Sequence, residues 1–351
     1  MNKKINTLIT RIFLFIFFFG SLAYLGYQIL AKEDKEVKIL ENKPKMEVKK
    51  EIPKLKIMDL DSNSRPIAVM INNISASWNN QRGLSKAYMV YEIVVESGIT
   101  RFLALFKDQD IEEIGSIRSA RHYFIDYALE HDAFYVHFGY SPQALRDLRS
   151  LQINNLDCGS DGRTYWRNKG FVSPHNALTS TERLTDYFQR RNYRLTTEKP
   201  LVLDYSSTPF YLSKERNSQK AYYIKIRYSS GHYIEYQYDY EKQVYLRSMG
   251  GKPHLDIGVN KQLEVKNIIV YQVKNSLIPG GGSGRQDLHN IGSGEGYYIS
   301  NGYSIPITWE KSSREAQTIY RDLDGNKITL NDGLTFIQIQ PLNQSIDIKE
   351  E

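Results

Sequence analysis

The chain has 351 residues, 41% of them hydrophobic and 25% charged, enough apolar side chain to build packed cores and enough length for two domains. Its net charge of +6 sits at the front: residues 1–60 hold 12 Lys/Arg and 7 Asp/Glu, leaving 34 basic and 33 acidic side chains in the remainder. A nucleic-acid binder usually shows a basic domain, whereas this body is nearly neutral and the basic surplus belongs to the tail, so no nucleic acid is expected as a partner.

Lys3, Lys4 and Arg11 precede an apolar run from Ile12 to Ala31. Twenty helical residues span about 30 Å, the thickness of a bilayer's hydrocarbon core, so residues 12–31 are expected to meet the membrane, with 1–11 as a cytoplasmic tail. Ser21-Leu22-Ala23 has the small residues of a signal cleavage site, which leaves a cleaved signal open; the apolar run continuing past it favours a retained anchor. Residues 32–58 read as a solvated linker, since fifteen of the twenty-five residues from Lys32 to Lys56 are charged and Pro44 and Pro53 interrupt any helix. Nine basic residues after the span against three before it argue for a cytoplasmic body, but long domains translocate largely regardless of charge.

Residues 62–195 alternate between strand and helix patterns. Ile67 to Ile71 is a buried strand, and Met89–Glu96 with Arg101–Phe106 form a pair around Ser97-Gly98. Ala120, Phe124, Tyr127, Ala128 and His131 mark one face of a helix starting near Ser119. Phe134–Phe138 is a strand, Ser141-Pro142 opens a helix through Arg149, and the capping box Thr179-Ser-Thr-Glu182 opens another to about Arg190. An α/β or α+β domain follows. Over 200–342 helical patterns nearly vanish. Strands at 222–228, 233–238, 243–248, 266–273, 296–300, 304–309 and 334–340, with 26 Tyr in the chain, predict a mainly β domain. Asp322-Leu-Asp-Gly-Asn326 reads as a hairpin turn.

Several blocks then carry a resemblance. Arg65-Pro-Ile-Ala-Val-Met-Ile-Asn72, Gly83-Leu-Ser-Lys-Ala87, Tyr91-Glu92, Gly98-Ile-Thr-Arg-Phe-Leu-Ala104, Ile114-Gly-Ser-Ile-Arg-Ser-Ala-Arg121 and Pro174-His-Asn176 resemble the YerB-like family. Tyr245-Leu-Arg-Ser-Met-Gly-Gly-Lys-Pro-His254, Gly292-Ser-Gly-Glu-Gly-Tyr-Tyr298 and Ile307-Thr-Trp309 resemble its second region. That family is described as bacterial lipoproteins made of two adjoining domains of unknown function, the DUF3048 N- and C-terminal regions. The resemblance implies two domains and a body outside the cytoplasm, and it supplies no reaction. The family's lipid-acceptor cysteine is missing here, because the single cysteine is Cys158; this favours a single-pass transmembrane anchor.

The leading candidate site is Arg118, Ser119 and Arg121, joined by Arg101 from the preceding strand. If Ser119 caps the helix, free N–H groups and the positive helix end sit beside guanidinium groups that grip phosphate or carboxylate. The competing reading pairs these arginines with Glu92, Glu96 or Asp126. A second candidate is the loop with Trp166, His175 and Asn176, where His175 could work as an acid or base. A nucleophilic role for Cys158 lacks a companion base. No metal and no cofactor are expected: the seven His show no ligand spacing, and the glycine-rich stretches 279–284 and 292–296 read as β turns. Tyr236, Tyr238 and Tyr240 alternate onto one strand face, either a sugar platform or a face covered by a neighbouring layer.

The expectation is therefore a membrane-tied envelope protein, a binding or scaffold module more than an enzyme, meeting an anionic wall polymer or another envelope protein through its arginines. The alternative is an enzyme of wall assembly. The order Arg101, Arg118/Arg121, then Tyr135–Ala144 resembles the layout of LytR-CpsA-Psr phosphotransferases, without their Arg-Asp pair. A partner facing the cytoplasm is a third reading, supported only by the basic linker.

Overall fold

A computed structural model describes residues 2–41, 54–280, 282 and 284–351, in two units, Met1–Ile52 and Pro53–Glu351. In the first unit, helix α1 (Asn2–Glu41) continues ten residues past the apolar run, so the start of the expected linker is helical. Residues 42–53 of that linker lie outside the described residues. Leu8–Lys32 is long and apolar enough to cross a membrane, with a mean hydropathy of 2.0 and none of its hydrophobic window buried.

The second unit begins earlier than the composition suggests. Met58 is buried, Leu55 and Ile57 pack against the core, and Asp332 accepts hydrogen bonds from the Lys56 and Ile57 amides at 2.8 and 3.2 Å. The last stretch assigned to the linker therefore belongs to the folded body.

Among the described residues the main sheet has eleven strands. One side of it, from the middle to an edge, is made by β1 (Ile67–Asn72), β2 (Met89–Val94), β3 (Thr100–Phe106), β4 (Phe134–His137) and β5 (Asn155–Asp157) of the first region. The second region divides its strands between this sheet and another: β6 (Tyr223–Ser229), β7 (His232–Asp239), β8 (Val244–Met249) and β13 (Ile346–Lys349) lie in the other, and β9 (Asn267–Val273), β10 (Gly292–Ser300), β11 (Tyr303–Lys311) and β12 (Thr335–Pro341) in this one. Nine of its strands run in the order β11–β10–β9–β12–β2–β3–β1–β4–β5, and the short strands Gln219–Lys220 and Ile319–Asp322 both pair with β11. Strand β12 lies parallel to both β2 and β9, with Tyr91 opposite Ile337 and Ile269 opposite the same residue. The first region is thus mixed α/β and the second mainly β, and one sheet runs through both.

Alternation sorts the two faces. Met70, Tyr91, Ile93, Leu103, Leu105, Ile269 and Ile337 point to one side, where α2 (His122–Glu130) contributes Tyr123, Phe124 and Tyr127. Val69, Ile71, Val90, Phe102, Ala104, Val270 and Phe336 point to the other. There a second sheet, containing β8–β7–β6–β13, adds Ile224, Ile226, Ile234, Tyr236 and Tyr245, and α4 (Thr181–Arg190) adds Leu184 and Phe188. Tyr236 is fully buried and Tyr238 nearly so, while Tyr240 is exposed, so the tyrosine stripe is mostly a covered face. Helix α3 (Pro142–Ser150) is capped by Ser141, as its sequence indicates.

Two local expectations fail. The cap of α4 is Ser180, which accepts from the Arg183 amide; Thr179 is the last residue of a short strand and donates to the Thr164 carbonyl. Residues 292–296 are not a turn but the first half of β10. Glycine there allows close approach, because a Cβ at Gly296 would lie 2.5 Å from the Val270 carbonyl oxygen and one at Gly294 2.8 Å from the Trp309 indole nitrogen.

Between the two sheets lies a polar knot. Glu92 on β2 and Arg247 on β8 are both fully buried and 2.6 Å apart. Glu92 also accepts from Thr100 at 2.7 Å and from Asn73 at 3.2 Å, with His232 at 3.5 Å. Burial alone would raise its pKa, but Arg247, His232 and Thr100 outweigh burial and hold it at about 2, below the ordinary 4.5. Because the folded value lies below the unfolded one, this contribution is complete above about pH 4.5 and fades as pH falls toward 2. Acid should therefore remove about 3 kcal/mol through this group. Urea midpoints measured from pH 7 to pH 2.5 should fall, and Glu92→Gln should flatten that dependence; an unchanged slope would contradict it.

Candidate functional site

The arginine cluster sits where β1 and β4 end. Strand β1 is apolar until Asn72, whose partner across the antiparallel ladder is Arg101, so both side chains leave the same face at the margin of the core. Past that point residues 114–120 run extended. The Arg118 amide donates to the Met70 carbonyl, the Arg118 carbonyl accepts from the Phe138 amide, and the Ala120 amide donates to the Gly139 carbonyl. These bonds place Arg118 between the diverging ends of the two strands. They also correct the position of the helix: α2 starts at His122 with Arg121 as its cap, and Ser119 caps nothing. Ser119 stands between the bridge residues Ile117 and Ala120, and its carbonyl accepts from Arg101 at 2.8 Å.

The structure brings Arg101, Arg118 and Arg121 together around one carboxylate, Glu96, on the turn between β2 and β3. Arg121 donates to Glu96 at 2.6 Å and Arg101 approaches it at 3.5 Å. The other carboxylates named as partners are used elsewhere, Glu92 by Arg247 and Asp126 by Arg314 at 2.6 Å. Arg118 has no carboxylate within ion-pair reach among the described residues. Three guanidinium groups against one carboxylate leave a local charge of +2. Arg101 is only 5% exposed, and its Nε finds no acceptor, nor do the buried hydroxyls of Ser116 and Tyr135. Burial lowers the pKa of Arg101 to about 9, with Arg121 and Arg118 adding to the fall and Glu96 opposing it. Arg118 is lowered by burial and by Arg121. Each shift has the same cause, cations crowded in a partly dry place with too little negative charge.

His175 belongs to this neighbourhood. Its Nδ1 lies 2.8 Å from the Asn72 amide nitrogen, and burial and Arg118 both lower its pKa, which keeps the ring neutral. Since Asn72 donates to Nδ1, the ring's proton is on Nε2, and His175 is arranged to donate a hydrogen bond. Asn80 donates to the His175 carbonyl at 2.9 Å and accepts from Asn168 at 2.7 Å, which fixes the loop.

The other two loop residues serve the scaffold. Asn176 is buried, donates to the Phe171 carbonyl at 2.8 Å and accepts from Arg167. Trp166 lies in a short strand with the Arg183 guanidinium 5.2 Å over its ring, toward α4. Cys158 is buried and its thiol is pushed up to about 12 by burial, which suits a packed side chain and not a nucleophile. Among the described residues no three His, Cys, Asp or Glu side chains gather as a metal site would need. Asn72 was the residue that sequence reasoning missed; its signal is a lone amide closing an apolar strand.

Two family descriptions match the chain, Protein of unknown function (DUF3048) N-terminal domain over residues 55–194 and its C-terminal domain over 224–337. The chain is 31% identical over 283 residues to "Putative lipoprotein YerB" of Bacillus subtilis (strain 168), covering 79% of this chain and 81% of that one. It is also similar to the crystal structure of YerB protein from Bacillus subtilis, with a TM-score of 0.72 and 29% identity over 84% of this chain and 99% of the other.

Proposed function

We propose, for a chain that belongs to the DUF3048 family together with YerB of Bacillus subtilis, a role as an envelope binding module that works outside the cytoplasm, tied to the membrane by α1. The location rests on the relative's description as a lipoprotein and on the apolar helix Leu8–Lys32. The sole cysteine is the buried Cys158, so the helix takes the anchoring role here.

The body binds an anionic group, phosphate or carboxylate, at Arg101, Arg118 and Arg121, with His175 donating from the side. The observation that carries this reading is Arg118, a half-buried guanidinium with no carboxylate partner among the described residues, beside a second arginine whose buried Nε lacks an acceptor. A structural ion-pair cluster would balance its charges; this one does not. Binding is favoured over catalysis because Asn72 occupies Nδ1 of His175 and leaves Nε2–H to face a ligand as a donor and not as a base.

Isothermal titration of the full-length chain in detergent, with inorganic phosphate and with acetate, tests the site. Arg118→Gln should weaken binding about tenfold or more. Its thermal midpoint should stay near that of the parent, since the side chain makes no ion pair to lose. A variant that unfolds, or one that binds as the parent does, would return the cluster to a structural role.

A further inference from the structure

We propose that Glu96 is a built-in stand-in for the ligand, and that the group which displaces it is a phosphate monoester. This rests on the anion-site reading above. Glu96 lies on the turn Glu96–Gly98 that joins β2 to β3, a segment with two left-handed residues, Ser97 at φ 59° and Gly98 at φ 70°. From that turn the carboxylate enters the cluster and takes the Nε of Arg121 at 2.6 Å and the edge of Arg101 at 3.5 Å. The side chain is only 13% exposed, yet it reaches these partners from a surface hairpin and not from the core. Thus it occupies the donors that an incoming oxyanion would need, and it does so from a turn that lies outside the β2–β3 ladder, which ends at Val94 and Thr100.

The charge balance names the ligand class. Arg101, Arg118 and Arg121 sum to three positive charges, and Glu96 cancels one, so a carboxylate in its place leaves the same surplus. A phosphate monoester carries about −1.5 to −2 near neutral pH and three strong acceptor oxygens. It can satisfy Arg118 and Arg121 together with the unmatched Arg101 Nε, which one carboxylate does not.

Removing the negative charge of Glu96 should raise affinity instead of lowering it. With the full-length chain in detergent, Glu96→Gln should bind inorganic phosphate about tenfold more tightly than the parent, while acetate gains less. Glucose 1-phosphate and a short-chain phosphatidic acid, titrated alongside, separate a sugar-borne from a lipid-borne monoester; tighter binding of either supports the class. A Glu96→Gln protein that folds but binds phosphate no better than the parent, or that loses its cooperative thermal transition, overturns the stand-in role. If parent and Arg118→Gln alike bind no phosphate and Glu96→Gln binds none, the anion site itself has failed.

Discussion

Arg247→Met should destabilise the folded body by about 3–5 kcal/mol, because it strands the Glu92 carboxylate between two sheets. Both side chains are fully buried, and the guanidinium reaches Glu92 at 2.6 Å from a strand of the opposite layer. It also contacts His254, which is kept neutral by burial and by Arg247 itself and holds Gln81 at 2.7 Å. The rings of Phe102, Tyr236 and Phe336 lie 4.9–5.8 Å from its Cζ and exclude water from the knot. Methionine fills the volume, so what is lost is charge compensation and not packing. Paired with Glu92→Gln, the same substitution should cost less than the sum of the single changes, with a coupling of about 2–3 kcal/mol. Equilibrium urea unfolding of the full-length chain in detergent gives both numbers; a single-variant loss below about 1 kcal/mol would mean that Arg247 is not what holds the layers in register.

Lys311→Met should show a loss of similar size with the opposite response to pH. Lys311 on β11 is buried and bonds Glu130, at the end of α2, at 2.9 Å. Glu130 is fully buried and also accepts from Tyr91 at 2.5 Å and from the Thr318 amide and hydroxyl at 3.0 and 2.7 Å. Burial pushes its pKa up, while Lys311, His131 and these hydrogen bonds bring it below the ordinary value. Without Lys311, burial dominates and Glu130 holds its proton more tightly folded than unfolded. The variant is then about 3 kcal/mol weaker near pH 8 and recovers part of this as pH falls and the carboxyl protonates. The parent protein keeps the Glu130 contribution over this range and loses it only below about pH 4.5, as the pH falls toward the lowered folded value. Chemical denaturation at pH 8, 6 and 4.5 should show the two curves converging; parallel curves would show that the lysine's charge is not what Glu130 depends on.

These two pairs explain what reading the chain residue by residue left out. Arg247 and His254 lie inside a stretch recognised only by its likeness to a family, and nothing within a few positions of Arg247 points to Glu92, 155 residues away. The arginine site was half visible. Arg101, Arg118 and Arg121 stand out as cations among apolar strands, and Glu96 is their carboxylate partner as one reading had it. The cap at Ser119 was misplaced because the segment before α2 is held extended by β1 and β4, contacts that no local preference reports. Trp166 and Asn176 were grouped with His175 by nearness in the chain, and the fold turns them to other neighbours.

The amino-acid order alone determined whatever depends on residues a few positions apart: the apolar run of α1, the period-two strands, the caps at Ser141 and near Ser180, and the change from mixed α/β to β near residue 200. Tertiary structure decided the rest. It inserted β12 between β2 and β9, joined both regions in one sheet, began the body by residue 54, and chose which charges meet. The division has one physical cause. Periodicity and capping are settled by the backbone's own geometry over one or two turns, whereas the register of distant strands is settled by which pairing puts their apolar sets on the buried faces.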